Sequence, residues 1–259
     1  MDNTPKKLEV GVAVVMKVSK EKRDEIRRSL IEAAVGLFVE KGFAETSMRE
    51  VAARASVAPG TAYKYFPDRD QLLVAFFELK FADTEAATFA LPGYTTFCLK
   101  EKLQAFIESL LSEYLQEREF VAIAMKSLVD APLQSIGAMQ PLKARFTMFA
   151  DQVLDDAVVA SHPNGLTHKG FFSSLFWDYS ILVTLYWLKD DSENFAKTSE
   201  FIDRSLDLYV ALLESGVVDK AARLLGFFVK NHLYGNLEQI ASVVSGLGQL
   251  GRDTFGAKP

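Results

Sequence analysis

Cysteine is almost absent from this chain. Of 259 residues only Cys98 is one, which excludes an internal disulfide and fits a reducing compartment. With Leu99 and Phe106 nearby, Cys98 reads as a packed core thiol. Histidine is scarce as well. His162, His168 and His232 stand at no metal-ligand spacing, so neither a metal site nor a cofactor is expected. A glycine-rich phosphate loop, Gly-x-Ser-x-Gly and His-Glu-x-x-His are all missing, and no enzymatic activity is expected. No segment alternates like a strand beyond 10–18, and there are no repeats or low-complexity tracts. A signal peptide is not convincing, because Glu9 and Lys17 break the apolar run that follows Lys6 and Lys7. Residues 170–188 are about long enough to cross a bilayer, yet Asp178 at their centre, with Ser173, Ser174 and Ser180, would be costly in lipid. They read instead as a buried helix in a protein–protein interface, in a cytoplasmic protein with no membrane partner.

What remains is apolar and helical. Hydrophobic residues make up 49% and Phe alone contributes 20, so the chain is globular. Its net charge of −5 is unevenly spread: residues 1–80 hold 14 Lys/Arg against 12 Asp/Glu, and the excess acid lies beyond. Helical periodicity predicts helices over 20–41, from 47, from 59, over 69–81, 99–118, 119–130, 135–160, 168–189, 193–215, 219–231 and 237–250. Residues 1–19 read as a mobile or strand-like N-terminal arm.

The densest local code lies between Glu45 and Leu73. Gly42 suits the end of the first helix. Ser47-Met48-Arg49-Glu50 is a capping-box pattern, Ser56-Val57-Ala58 a turn, and Pro59 the opening of another helix. Pro67 breaks that helix and Asp68 caps the next. Two short helices joined by a tight turn, the second carrying small, hydroxyl, aromatic and cationic side chains, form a helix-turn-helix that enters the DNA major groove. Val51, Ala52, Ala55, Val57, Ala62 and Phe66 face its core.

Gly42-Phe43, Thr46-Ser47, Val51-Ala52, Val57, Gly60-Thr61-Ala62-Tyr63-Lys64-Tyr65-Phe66 and the Asp68–Leu73 opening resemble the tetracycline-repressor (TetR) family of bacterial transcription regulators. The resemblance covers about 20–81 at motif level. Two residues depart from the pattern: Ser56 stands where the turn usually has Gly, and Ala58 where a Ser-type cap is usual. The resemblance implies an all-α protein with an N-terminal three-helix helix-turn-helix DNA-binding domain (20–67). A larger helical effector-binding and dimerisation domain follows (68–259).

By this layout Pro59, Gly60 and Thr61 lie against the groove floor, with Tyr63 and Lys64 on the exposed face. Arg49 matches the family position that reads guanine, while Ser47, Tyr65 and Arg69 look like phosphate clamps. Packing alone is the other reading of Tyr63 and Tyr65. The resemblance further implies a homodimer, paired through 168–189 and 193–215, on a palindromic double-stranded operator. A small effector, apolar or aromatic, would release it. Phe97, Phe106, Phe120, Phe146, Phe149, Phe176 and Trp177, with Asp178, are the candidate cavity lining, and the helix from Arg69 would touch the effector near Phe77 and Phe81. An ordinary aromatic core and interface is the competing reading of these residues. A TetR-like activator and a helical interaction protein without effector control are the alternative functions.

Overall fold

The computed structural model describes residues 6–130, 132–161, 168–217, 220–221 and 223–224. Among the described residues the chain forms helices and no strand. The predicted helices 219–231 and 237–250 lie outside them apart from 220–221 and 223–224, as do His162 and His232.

Helix α1 (Lys6–Lys41) buries Leu30, Ala34 and Phe38, spaced four apart on one face. It starts well before residue 20, so the strand-like reading of the N-terminal arm is corrected. Once the segment after Lys20 is nucleated, extending a helix backwards adds one hydrogen bond per residue fixed, and no proline stands between Lys6 and Lys20 to stop it. Gly42, at φ +90°, ends α1, with its N–H donating to Phe38 O at 3.0 Å.

Helices α2 (Met48–Arg54) and α3 (Pro59–Tyr65) close a small core of Val51, Ala52, Ala62 and Phe66 against α1. The turn between them is a Schellman motif. Val57 N–H donates to Ala52 O (2.9 Å) and Ser56 N–H to Ala53 O (3.1 Å), which forces Ser56 to φ +56°. A Cβ is unfavourable in that conformation. Ser56→Gly is therefore expected to raise stability by about 0.5–1 kcal/mol, read as a higher urea midpoint at unchanged m-value. A lower midpoint would show that Ser56 holds the turn in another way.

Asp68 caps α4 (Arg69–Phe89) by accepting from Gln71 N–H at 2.9 Å. The helix passes Phe81 because nothing breaks it before Pro92. Thr84 and Thr88, both buried, turn their hydroxyls back to Lys80 O and Thr84 O (2.7 Å each). A 3-10 turn, Tyr94–Thr96, leads to α5 (Leu99–Tyr114). Cys98, expected in the core, is exposed. It occupies the N-cap of α5, outside the packed faces, and its N–H donates to Glu101 Oε2 at 2.7 Å.

Helices α6 (Arg118–Asp130), α7 (Pro132–Ser161), α8 (Lys169–Lys189) and α9 (Ala196–Glu214) complete the larger bundle. In it α7 packs on α8, α4 on α5 and α7, and α5 on α9, while α6 bridges to α1. Asp190, buried between α8 and α9, accepts from Ser192 N–H and Oγ and from Thr198 N–H and Oγ1 at 2.5–2.9 Å. Burial pushes its carboxyl up, but those hydrogen bonds outweigh it and hold the group well below the usual range.

The core is continuous across the expected 67/68 boundary. Phe120 of α6 stacks on Phe38 (5.9 Å) and meets Phe76 edge-on (4.5 Å). The larger bundle and the helix-turn-helix thus share packed rings. Among the described residues no helix is long and apolar enough to cross a membrane.

Candidate DNA-reading surface and apolar cavity

The start of α2 is locked by its own sequence. Glu50 N–H donates to Ser47 Oγ (3.3 Å) and Ser47 N–H returns to Glu50 Oε2 (2.9 Å), the reciprocal pair of a capping box. The Ser47 hydroxyl also donates to Glu50 Oε2 at 2.6 Å, and Lys41 pairs with the same carboxylate. Lys41 first, then Ser47, lower the Glu50 pKa to about 2, so the box stays charged at neutral pH.

The next residues are left open. Arg49, Pro59, Gly60, Tyr63 and Lys64 are exposed and Thr61 is half-buried. Among the described residues neither Arg49 nor Lys64 has an ion-pair partner. A Cβ built on Gly60 would meet nothing within 4 Å, so only an outside body could need that space. These six residues of α2 and α3 bring uncommitted cations, a hydroxyl and a phenol to the surface, the chemistry that meets phosphate and base edges.

The three expected clamps make contacts within the protein. Arg69 Nη1 donates to Phe43 O (2.7 Å), Ala44 O (2.6 Å) and Thr46 O (2.8 Å), with the guanidinium 5.1 Å above the Phe43 ring. It staples the α1–α2 connection to the head of α4, and turning it to a phosphate would orphan three carbonyls. The Ser47 hydroxyl is committed to Glu50. Tyr65 is half-buried and packs on the core.

In the larger bundle a cavity of about 480 Å³ opens between α4, α5, α6, α7 and α8, within the range of small-molecule sites. Phe77, Phe81, Leu110, Tyr114, Met125, Met139, Leu142, Phe146, Trp177, Ile181 and Leu185 give it a mostly apolar wall. Its polar groups are few: the Tyr114 hydroxyl, Gln140, Ser180, Thr184, and Lys143 with its Nζ 3.8 Å from Asp178 Oδ1. Of the eight residues expected to line a cavity, Phe146, Trp177 and Asp178 do, and Phe77 and Phe81 touch it as predicted. Phe106, Phe120, Phe149 and Phe176 do not. They are buried in ring-on-ring packing, Phe106 on Phe149 at 4.4 Å and Phe146 on Phe176 at 5.5 Å. Phe97 lies elsewhere, beside a groove shared with Leu91 and Glu101. The missed residues Ser180, Ile181, Thr184 and Leu185 recur at helical steps from Trp177, a signal that aromatic density conceals.

Helix α4 joins the two sites. Phe77 and Phe81 line the cavity, Glu78 accepts from Arg27 of α1 at 2.9 Å, and Lys80 pairs with Glu117 at 3.0 Å. The neighbouring Arg118 donates from Nη2 to Trp187 O, Leu188 O and Asp190 O (2.8–3.1 Å), its guanidinium between the Trp187 and Phe195 rings. Outside the bundle α8 and α9 leave Phe171, Leu182, Tyr186 and Leu208 exposed.

Residues 30–76 match the family described as bacterial regulatory proteins, tetR family, and residues 102–228 match the tetracyclin repressor-like C-terminal domain. The HTH-type transcriptional repressor KstR of Mycolicibacterium smegmatis is 30% identical over 150 residues, 56% of this chain and 72% of that protein. KstR of Mycobacterium tuberculosis is 31% identical over 120 residues, 46% of this chain and 53% of that protein. Among solved structures, FadR of Bacillus subtilis in complex with stearoyl-CoA superposes with a TM-score of 0.55 at 18% identity, covering 71% of this chain and 97% of that one. FadR of Thermus thermophilus in complex with lauroyl-CoA gives 0.55 at 20% identity, covering 70% and 92%. At those identities the two structures speak for the fold.

Proposed function

Because this chain belongs to the tetR family of bacterial regulatory proteins and is a ligand-responsive DNA-binding repressor, we propose that two copies hold a palindromic operator and release it when a small apolar molecule fills the cavity. Arg49, Pro59, Gly60, Thr61, Tyr63 and Lys64 form the contact set of each copy. Ser47 and Arg69 serve it from behind, the first by fixing the start of α2 and the second by holding the α1–α2 connection. Tyr65 acts through packing. The protein works in the cytoplasm, where its DNA lies.

The observation that carries this reading is α4, a single helix with Arg69 under the reading surface and Phe77 and Phe81 in the cavity wall. A ligand that fits better with α4 displaced changes the spacing of the two α3 helices and weakens both half-sites together. It shifts the balance only by its difference in affinity for the two states, typically about 1–3 kcal/mol. FadR is a structural neighbour with acyl-CoA bound, so long-chain acyl compounds are the first effectors to test.

The experiment follows fluorescence anisotropy of a DNA fragment from upstream of the protein's own gene. Affinity is expected to fall linearly on logarithmic axes with salt, by a slope of about 0.9 per phosphate contact. Apolar compounds are then titrated while the fluorescence of Trp177 and Trp187 and DNA binding are read together. Quenching of the tryptophans with the DNA still held would leave a cavity without control. Effectors that are polar throughout would refute the apolar assignment.

A further inference from the structure

Tyr114 ends α5 and lines the cavity wall with its residue surface 6% exposed. Its ring packs on Phe76 and Phe77, at 6.5 and 5.9 Å. Among the described residues its hydroxyl has no hydrogen-bond partner. Two other buried tyrosines are satisfied, Tyr179 OH sharing a hydrogen with Ser205 Oγ (2.9 Å) and Tyr209 OH donating to Phe172 O (2.8 Å), while Tyr94, whose hydroxyl is also unpaired among the described residues, does not line the cavity. The other hydroxyls of the lining are spent too, Ser180 Oγ on Trp177 O (2.7 Å) and Thr184 Oγ1 on Ser180 O (2.8 Å). Lys143 and Asp178 stand at the partly exposed rim. The Tyr114 hydroxyl borders the open space of the cavity, so an unpaired donor there is available to a molecule that fills it.

We propose that Tyr114 determines effector specificity, donating a hydrogen bond to an acceptor oxygen set deep on an otherwise apolar molecule, so that the effector class is a carbonyl-bearing hydrocarbon. This rests on the cavity being the effector site. Burial raises the Tyr114 phenol well above its usual pKa, which keeps it a neutral donor at any physiological pH. Its position also suits control. Glu117 N–H donates to Tyr114 O at 3.1 Å, and Glu117 pairs with Lys80 of α4. An oxygen that engages Tyr114 therefore bears on the α5–α6 junction, one ion pair away from the helix that joins cavity and reading surface.

The test is a double-mutant cycle on the full chain with Tyr114→Phe. Two pairs of ligands differ only by C=O against CH₂, 9-fluorenone with fluorene and benzophenone with diphenylmethane, and binding is measured by calorimetry. Removing a hydroxyl that has no internal partner should leave the thermal midpoint unchanged. The ketones are expected to bind Tyr114→Phe about tenfold more weakly than wild type, and the hydrocarbons equally well. If ketones and hydrocarbons shift together, or neither shifts, Tyr114 is not a specificity residue while the cavity reading stands. If none of the four compounds binds wild type, the apolar cavity reading itself falls.

Discussion

Gly60→Leu is expected to leave the protein as stable as wild type, or slightly more so, and to abolish specific operator binding. Both halves of this result come from one geometric fact. A Cβ at Gly60 has open space in front of it, and Gly60 has helical backbone inside α3. Glycine inside a helix costs about 0.5–1 kcal/mol relative to alanine, so replacing it is neutral or favourable for folding. A side chain there starts into open space, toward whatever approaches from outside. If α3 lies in the major groove, the side chain holds the backbone off the base edges and only phosphate-driven binding remains. Specific and non-specific affinities commonly differ by about 10³–10⁷, so a loss of at least about 10³-fold is expected. Thermal melts and anisotropy on operator and scrambled duplexes measure the two halves. Wild-type operator affinity for Gly60→Leu would remove α3 from the groove. Arg49→Ala is the milder companion. It should cost about 1–3 kcal/mol at one base pair of each half-site and leave scrambled DNA almost unaffected.

How far these residues could be read from the chain depended on the range of the forces that place them. Ser47 with Glu50, Pro59 at the head of α3, and Asp68 with Gln71 are bonds closed within a few residues, so their pattern is their structure. Ser56 belongs with them, since the Schellman bonds that force its positive φ span only Ala52 to Val57. The internal role of Arg69 was not legible, because the acceptors of its Nη1, Phe43, Ala44 and Thr46, come from a distant segment that no local pattern reveals. The aromatics failed for a related reason. Phe106 and Phe146 meet edge-on at 5.3 Å, yet only Phe146 faces the cavity. Composition reports that the rings are there, and the relative rotation of five helices decides which of them border empty space. Cys98 shows the smaller version, where one residue's shift into a cap takes a thiol from core to solvent.

Replacing Leu182 and Leu208 together by Glu is expected to yield a folded monomer that has lost about 10²–10⁴-fold in operator affinity. In the isolated chain these residues are 53% and 71% exposed, with Phe171 and Tyr186 also exposed on α8. Exposed apolar residues concentrated on two neighbouring helices mark an association surface. On the proposed reading, two copies meeting through α8 and α9 would form a four-helix seam with two-fold symmetry and would set two α3 helices on one face, as a palindromic operator requires. Because both leucines are open to solvent, glutamate there removes little intramolecular packing, and folding should change by about 0.5 kcal/mol or less. Across the seam four carboxylates would instead be forced into an apolar contact, where unpaired charge is strongly unfavourable. With the seam gone, the second half-site is no longer bound from an effective concentration set by the first, which accounts for the size of the loss. The cavity should survive, since Leu182 and Leu208 are not part of its wall, which Trp177 and Phe146 build from ring-on-ring contact. Asp178, one turn before Leu182, lines that cavity, so unchanged emission of Trp177 and Trp187 serves as the internal control. Light scattering and anisotropy at micromolar concentration read the outcome. A double variant that still runs at twice its monomer mass would place the dimer interface elsewhere. A monomer that keeps full operator affinity would mean that one copy reads the whole site.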